Sequence, residues 1–256
     1  MALRFYLIAQ PQMTDGMAKF LADQSENWQC EDNVSDGERL VEAAGRVCYM
    51  SFSSRQRRRR NDAYIANLVD QGHESVLEHA NFSVLVLGLS RALSHQVVRH
   101  RAGFAYSQLS QQYHDESQAE FVEPAGLARY PEARRRWIQF MAEAKSVYKG
   151  LLAETIQKSG STELSPKEQM RLNRSIARSV LPNATATALM ITGNARAWRH
   201  VLVVRGSIHG DTEMRDYCVG VFELLSSAAP NLFSDFEIVK DSLGSLVRLR
   251  SNRDSL

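Results

Sequence analysis

Arg99-His100-Arg101 is followed closely by Tyr106-Ser107-Gln108-Leu109-Ser110-Gln111-Gln112-Tyr113. Guanidinium forks match phosphate and carboxylate through paired, charged hydrogen bonds. Serine and glutamine add donors and acceptors with little core-forming bulk. Side by side, the two stretches can bind an anionic, hydrogen-bonding ligand such as a nucleotide. The triplet alone would serve equally as solvated charge at a helix C-terminus, where partial negative charge tolerates cations.

A second basic cluster runs from Asn194 through Arg196, Trp198, Arg199 and His200 to Arg205. On a helix Arg196 and His200 stand at i, i+4 and share a face. Arg205 follows Arg196 by nine residues, half a turn away. Basic groups on opposite faces fit a helix exposed twice, or one lodged between two ligands or two subunits. Trp198, like Trp137 and Phe140, reads as core or interface.

Other polar features carry less. His73-Glu74-Ser75-Val76-Leu77-Glu78-His79 superficially resembles a zinc-protease helix, but its histidines are six apart rather than four, so no metal site is expected. A buried turn that presents Ser75 is the better reading. The run Arg55-Gln56-Arg57-Arg58-Arg59-Arg60 reads as a solvated loop. It has no interleaved aromatics, so nucleic acid is not the expected partner. Attraction of cosubstrate phosphates or carboxylates is a third reading. Cys30, Cys48 and Cys218 are odd in number and far apart, which suits reduced thiols in the cytoplasm.

These residues need a frame. Apolar runs predict strands over 5–9, 82–87, 121–122, 185–192 and 236–239. Helical spacing predicts a helix capped by Asp36 to about 50, one capped by Asn61 to about 71, and one from Arg91 to about Arg101. Residues 106–113 fit an extended segment or a loop. Pro131 opens a long helix to about Ser159, with Trp137, Phe140, Met141, Ala144 and Leu151 inward. Ser165-Pro166-Lys167-Glu168 is a capping box with proline at the first helical position, starting a helix that stops before Pro182. Asn194 caps a helix to about Arg205, and Asp211 caps one to about Ala228. The expected class is α/β, a mixed fold in which helices flank a central twisted sheet, with a helical subregion. The whole chain, 1–256, is expected to be a single domain.

Composition sets outer limits. The chain has 256 residues, 44% hydrophobic and 23% charged, so it is neither disordered nor a disulfide scaffold. A net charge of +2 argues against a nucleic-acid coat but not against local basic pockets. No window approaches a membrane span, and the N-terminus is too short and polar for a signal peptide, so no membrane partner and a cytoplasmic location are expected.

Arg99-His100-Arg101 with Ser110 downstream resembles the signature of the flavin-dependent thymidylate synthases. The segments 72–80, 177–185 and 192–200 are similar to further blocks of that family, in its order. The resemblance implies a homotetramer with FAD and nucleotide bound where subunits meet. It implies methylation of C5 of a uracil nucleotide, with methylenetetrahydrofolate giving the carbon, FAD carrying it and supplying hydride, and NADPH reducing the flavin. By position, Ser75, Arg99, His100, Arg101, Gln108, Asn194, Arg196 and His200 would contact FAD. Gln96, Arg99, Gln108, Leu109, Ser110, Gln111, Gln112, Arg178 and Arg205 would contact the nucleotide. Arg205 falls where the family has its substrate-activating arginine. Ser110 reads as a positioning hydroxyl, since no base stands near it in sequence.

Two departures bear on substrate. Eight residues separate the triplet from Ser110, one more than the family has, and the extra one falls in Ala102-Gly103-Phe104-Ala105. Gln112 stands where the family carries arginine. A loop so altered is expected to admit a ribose 2'-hydroxyl, so that UMP is accepted with dUMP, as in the uracil-nucleotide methylases of polyoxin-type antibiotic pathways. The alternatives are an ordinary dUMP-specific thymidylate synthase and a non-catalytic flavin-binding homologue.

Overall fold

Side-chain caps fix where several helices begin. In the computed structural model, which describes residues 2–158 and 163–250, Ser35 caps α2 (Asp36–Tyr49) in a reciprocal box with Glu38. Ser165 and Glu168 do the same for α6 (Pro166–Ala177). Asn194 accepts from Ala197 N at the start of α7 (Ala195–Arg205), and Asp211 from Met214 N at α8 (Thr212–Ala228). Each side-chain oxygen satisfies a donor that the first helical turn leaves free.

The remaining elements are β1 (Arg4–Ala9), α1 (Gly16–Asp23), α3 (Asn61–Asp70), β2 (Asn81–Ser90), α4 (Arg91–Val97), β3 (Phe104–Gln108), α5 (Pro131–Gln157), β4 (Ala186–Asn194), β5 (Phe236–Asp241) and β6 (Gly244–Leu249). The fold is mixed α/β, as the alternation of patterns predicts. One sheet has the strand order β1-β2-β4-β3, and β5 and β6 form an antiparallel hairpin pairing Phe236 with Leu249 and Asp241 with Gly244.

The chain divides into two compact units: 1–4, 86–99 and 107–189 in the first, and 5–85, 100–106 and 190–256 in the second. In the first, α5 packs on α6 around Tyr148, Leu152 and Ala177. In the second, α8 packs on α7 and β6, and Trp198 is fully buried edge-to-face against Phe104, with ring centroids 4.9 Å apart.

Several expectations are corrected. Ser35, not Asp36, caps α2. Asn61 is the first residue of α3 rather than its cap; its buried amide bonds the Glu42 carboxylate at 2.7 Å. The helix from Arg91 ends at Val97, so Arg99-His100-Arg101 lies in the connection to β3. Its backbone is recruited elsewhere: Asn194 N bonds the Gly103 carbonyl and Phe104 N the Arg101 carbonyl. Phe121 makes a single bridge to Thr185 instead of a strand. On α5, Met141, Ala144, Tyr148 and Leu152 are buried, whereas Phe140 is exposed. The expected helix end at Ser159 lies outside the described residues. Neither α1 nor β6 was anticipated.

Candidate functional site

In the second unit a cavity of about 710 Å³ opens along α7. Asn194, Arg196 and His200 line it, with apolar walls from Val69, Ala102, Ala197, Val203 and Leu249. Polar donors beside apolar wall suit a ligand with a flat ring system and an anionic tail. The start of α7 adds the positive end of a helix dipole. Gly103, another wall residue, packs closely on the start of α7: its φ is +75°, and a Cβ there would stand 2.7 Å from Asn194 Nδ2. That cradle, the donor set and the volume fit a flavin dinucleotide.

Glu74 and Glu78 also line the cavity, and pattern reading missed them. They lie on a 3₁₀ turn, Glu74–His79, that is packed down by buried Val76 and Leu77 and leaves Ser75 exposed. Arg196 donates to Glu78 Oε1 at 2.6 Å and pairs with Glu74 Oε2 at 3.4 Å. The Glu78 carboxylate raises the Arg196 pKa, so the guanidinium enters the site charged and aimed. Arg199 and Asp235 also line the cavity, and there they satisfy each other in a bidentate pair at 2.6 and 2.7 Å. The signal for these acids was in the sequence: acids four residues apart sit on a short turn beside a serine. Their partner, Arg196, is far away in the chain.

Arg205 stands at the end of α7, and its Nε donates to His100 Nε2 at 3.3 Å. The His100 ring lies 6.2 Å from that of His200, a cavity residue. His100 therefore links the two basic faces of the helix. Burial, with Arg205 and His200 adding like charge, pushes the His100 pKa below its ordinary value. The neutral ring keeps the lone pair that Arg205 needs. Tyr106 fixes the histidine from behind, its hydroxyl donating to the His100 carbonyl at 2.6 Å. Among the described residues no carboxylate pairs with Arg205. Arg101 is exposed beside the cavity residue Ala102. Cys218 is buried and its thiol is pushed up to about 12, so it offers no thiolate nucleophile at neutral pH.

The first unit holds the other predicted residues. Gln108 donates to Ser94 Oγ at 2.7 Å, and Leu109 N bonds the Ala188 carbonyl. Ser110 Oγ accepts from Gln112 N at 3.3 Å within its own turn. Gln111 is buried and bonded to Glu116. The Gln112 amide is bound to Ser175 Oγ at 3.1 Å. Gln96 and Arg178 are half-buried and Arg99 is exposed. Arg91 was not anticipated. It donates to the Leu109 carbonyl at 3.3 Å, and burial, with Arg178 as a like-charged neighbour, lowers its pKa. A cation in a helix's first turn opposes the helix dipole, and that was the available signal.

Among the described residues no cluster of His, Cys, Asp or Glu is placed to hold a metal ion, and no helix is long and apolar enough to cross a membrane.

On this α/β frame, a cavity that sets cationic donors beside apolar wall, next to an arginine hydrogen-bonded to a histidine, has the chemistry for a ring-bearing anionic ligand. Residues 31–231 match the family described as thymidylate synthase complementing protein. The flavin-dependent thymidylate synthase of Corynebacterium aurimucosum is 40% identical over 220 residues, covering 86% of this chain and 88% of the relative. Those of Mycolicibacterium gilvum and Mycobacterium avium are 40% identical over 240 and 237 residues, covering 92% of this chain and 90% of each relative. The chain belongs to the flavin-dependent thymidylate synthase family and is an enzyme.

Proposed function

We propose that the chain methylates C5 of dUMP, and of UMP as well. FAD, methylenetetrahydrofolate and NADPH serve as cofactor and cosubstrates, and the whole chain works as one functional domain in a cytoplasmic homotetramer. The observation that carries this reading is Arg205, which pairs with no carboxylate among the described residues and is steadied through Nε on His100. Its terminal nitrogens are left to address a developing negative charge on a pyrimidine ring. Bound flavin supplies the hydride and one-carbon chemistry. Asn194, Arg196 and His200 hold its anionic and polar edges; Ser75, Arg99, His100, Arg101 and Gln108 complete that set. Gln96, Arg99, Gln108 to Gln112 and Arg178 orient the nucleotide, with Arg178 offering charge for phosphate. Acceptance of UMP is supported by Gln112: a neutral amide, already bonded to Ser175, stands where a guanidinium would crowd and fix the sugar phosphate. That acceptance aligns the chain with nucleoside-antibiotic methylases.

A second reading, dUMP alone, is favoured by the relatives' shared name, which makes thymidylate the product. Purified protein is expected to carry a flavin absorbance spectrum and to release tritium from C5 of both dUMP and UMP. Arg205→Ala is expected to lower that release about 100-fold or more while the flavin spectrum stays. Release from dUMP alone leaves the second reading, and a protein unable to bind flavin overturns both.

A further inference from the structure

The arginine run at 55–60 is not absorbed by the site above, and the structure shows it to be held firmly. Gln56, buried, bonds the Gln29 backbone in both directions, at 3.0 and 2.7 Å. The buried Arg46 donates to the carbonyls of Ser51 and Arg58. Arg46 is itself fixed by Glu42 at 2.7 Å, and Asn61 N bonds Glu31 at 2.8 Å. Along this anchored backbone the outer arginines are neutralised, Arg55 by Glu26 and Arg60 by Asp62. Arg57, Arg58 and Arg59 are exposed and have no carboxylate partner among the described residues. They precede the N-terminus of α3, where the helix dipole is also positive. Three exposed cations without carboxylate partners among the described residues, on one hydrogen-bonded loop at that end, leave guanidinium forks open to an anion.

The loop's place gives the anion its size. From Asn61 to Val69, α3 rises about 12 Å at 1.5 Å per residue, and Val69 lines the cavity. A ligand with its head at the Val69 edge of the cavity, outside the space the flavin fills, and a tail of roughly this length would reach the loop. We infer that Arg57, Arg58 and Arg59 dock the polyanionic tail of a small cosubstrate whose head sits at that edge. The shared chemistry is a cluster of phosphates or carboxylates, met by guanidinium forks. A dinucleotide reductant offers the first and a polyglutamylated folate the second; naming them rests on the proposed function. Single-stranded nucleic acid is disfavoured, because no aromatic ring is interleaved in the run to stack bases.

The test is direct binding to the full-length protein at low and high salt. Two ligand pairs are compared: NADP+ against NAD+, and pentaglutamyl against monoglutamyl tetrahydrofolate. In one pair the richer anion is expected to bind more tightly to wild type, with the advantage shrinking as salt screens it. R57Q/R58Q/R59Q is expected to lose roughly tenfold for that ligand alone, a step worth about 1.4 kcal/mol. The affected pair identifies the source. R58Q is expected to give a smaller loss with unchanged melting temperature, because Arg46 holds the Arg58 backbone rather than its side chain. Equal affinities for wild type and triple variant in both pairs overturn the inference, as does a loss confined to an RNA oligonucleotide. Flavin binding, read by absorbance on the same samples, separates the two claims. A flavin-loaded enzyme without arginine-dependent binding refutes only the docking site. A flavin-free protein that keeps the arginine-dependent preference refutes only the proposed function.

Discussion

His100 shows how one residue's titration governs another's aim. Its Nε2 accepts from Arg205 Nε, and burial and two cationic neighbours depress its pKa. Protonation would remove the lone pair and set imidazolium against guanidinium. The sign for stability follows from linkage. The unfolded chain takes the proton near pH 6.5 and the folded chain only at lower pH, so stability falls as pH drops from about 6.5 to the depressed value. Turnover is expected to fall over the same window as Arg205 loses its support. His100→Gln keeps an acceptor that does not titrate, so its acid limb is expected to flatten in both the kcat profile and the melting temperature. An unchanged acid limb in that variant would assign the fall to another group. The residue types were legible in sequence, since an arginine-histidine-arginine run advertises itself. The partnership was not, because Arg205 lies over a hundred residues from His100 in the chain. The same holds for Glu78 with Arg196, 118 residues apart.

At the scale of elements, caps were the most legible feature. Asn194, Ser165 and Asp211 all start helices where local chemistry predicts. Ends and faces were harder to read. The helix expected to reach Arg101 stops at Val97, where Arg99 N closes a turn on the Gln96 carbonyl and the chain leads into β3. On α5 the buried stripe runs through Tyr148 and Leu152 instead of Phe140, a choice made by α6 and invisible in α5 alone. Gly103 and Gly72 give a controlled comparison of backbone and packing. Both have positive φ, but a Cβ at Gly72 meets nothing within 4 Å, whereas one at Gly103 meets Asn194 at 2.7 Å and Ala197 at 2.8 Å. Gly72→Ala is expected to cost about 1 kcal/mol of stability through backbone strain alone. Gly103→Ala is expected to cost more, about 2–4 kcal/mol with the added crowding, and to weaken flavin retention by pushing on the start of α7. Thermal melts and flavin fluorescence after gel filtration check both. Equal flavin retention in the two variants would show that the Gly103 contact does not shape the cavity.

At the scale of the whole molecule, a net charge of +2 conceals both a segregated basic loop and a segregated apolar surface. In the first unit, Phe140 and Val147, seven apart on α5, are 54% and 42% exposed; Leu172 and Ile176, four apart on α6, are 46% and 41% exposed. Seven- and four-residue spacings put each pair in one stripe. Single exposed apolar residues need no explanation; two exposed stripes on helices that pack together offer a candidate interaction surface. Full burial of such a side chain contributes about 1.5–3 kcal/mol. Bringing two copies together costs at least about 4 kcal/mol. These side chains are already about half covered, so each has roughly half of that left to gain: one stripe from one copy stays below the cost, whereas a symmetric contact that covers both stripes on both copies exceeds it. The proposed homotetramer thus has a surface that can hold it. Sedimentation equilibrium is expected to show an oligomer for wild type at micromolar concentration. Leu172→Glu with Ile176→Glu is expected to shift it to smaller species with the fold intact by circular dichroism, because both side chains already face solvent in the single chain. If sites are shared between subunits, nucleotide affinity is lost with the oligomer, while flavin contacts made within the second unit persist in part. A monomeric wild type that releases tritium from dUMP would refute both the assembly and the shared site.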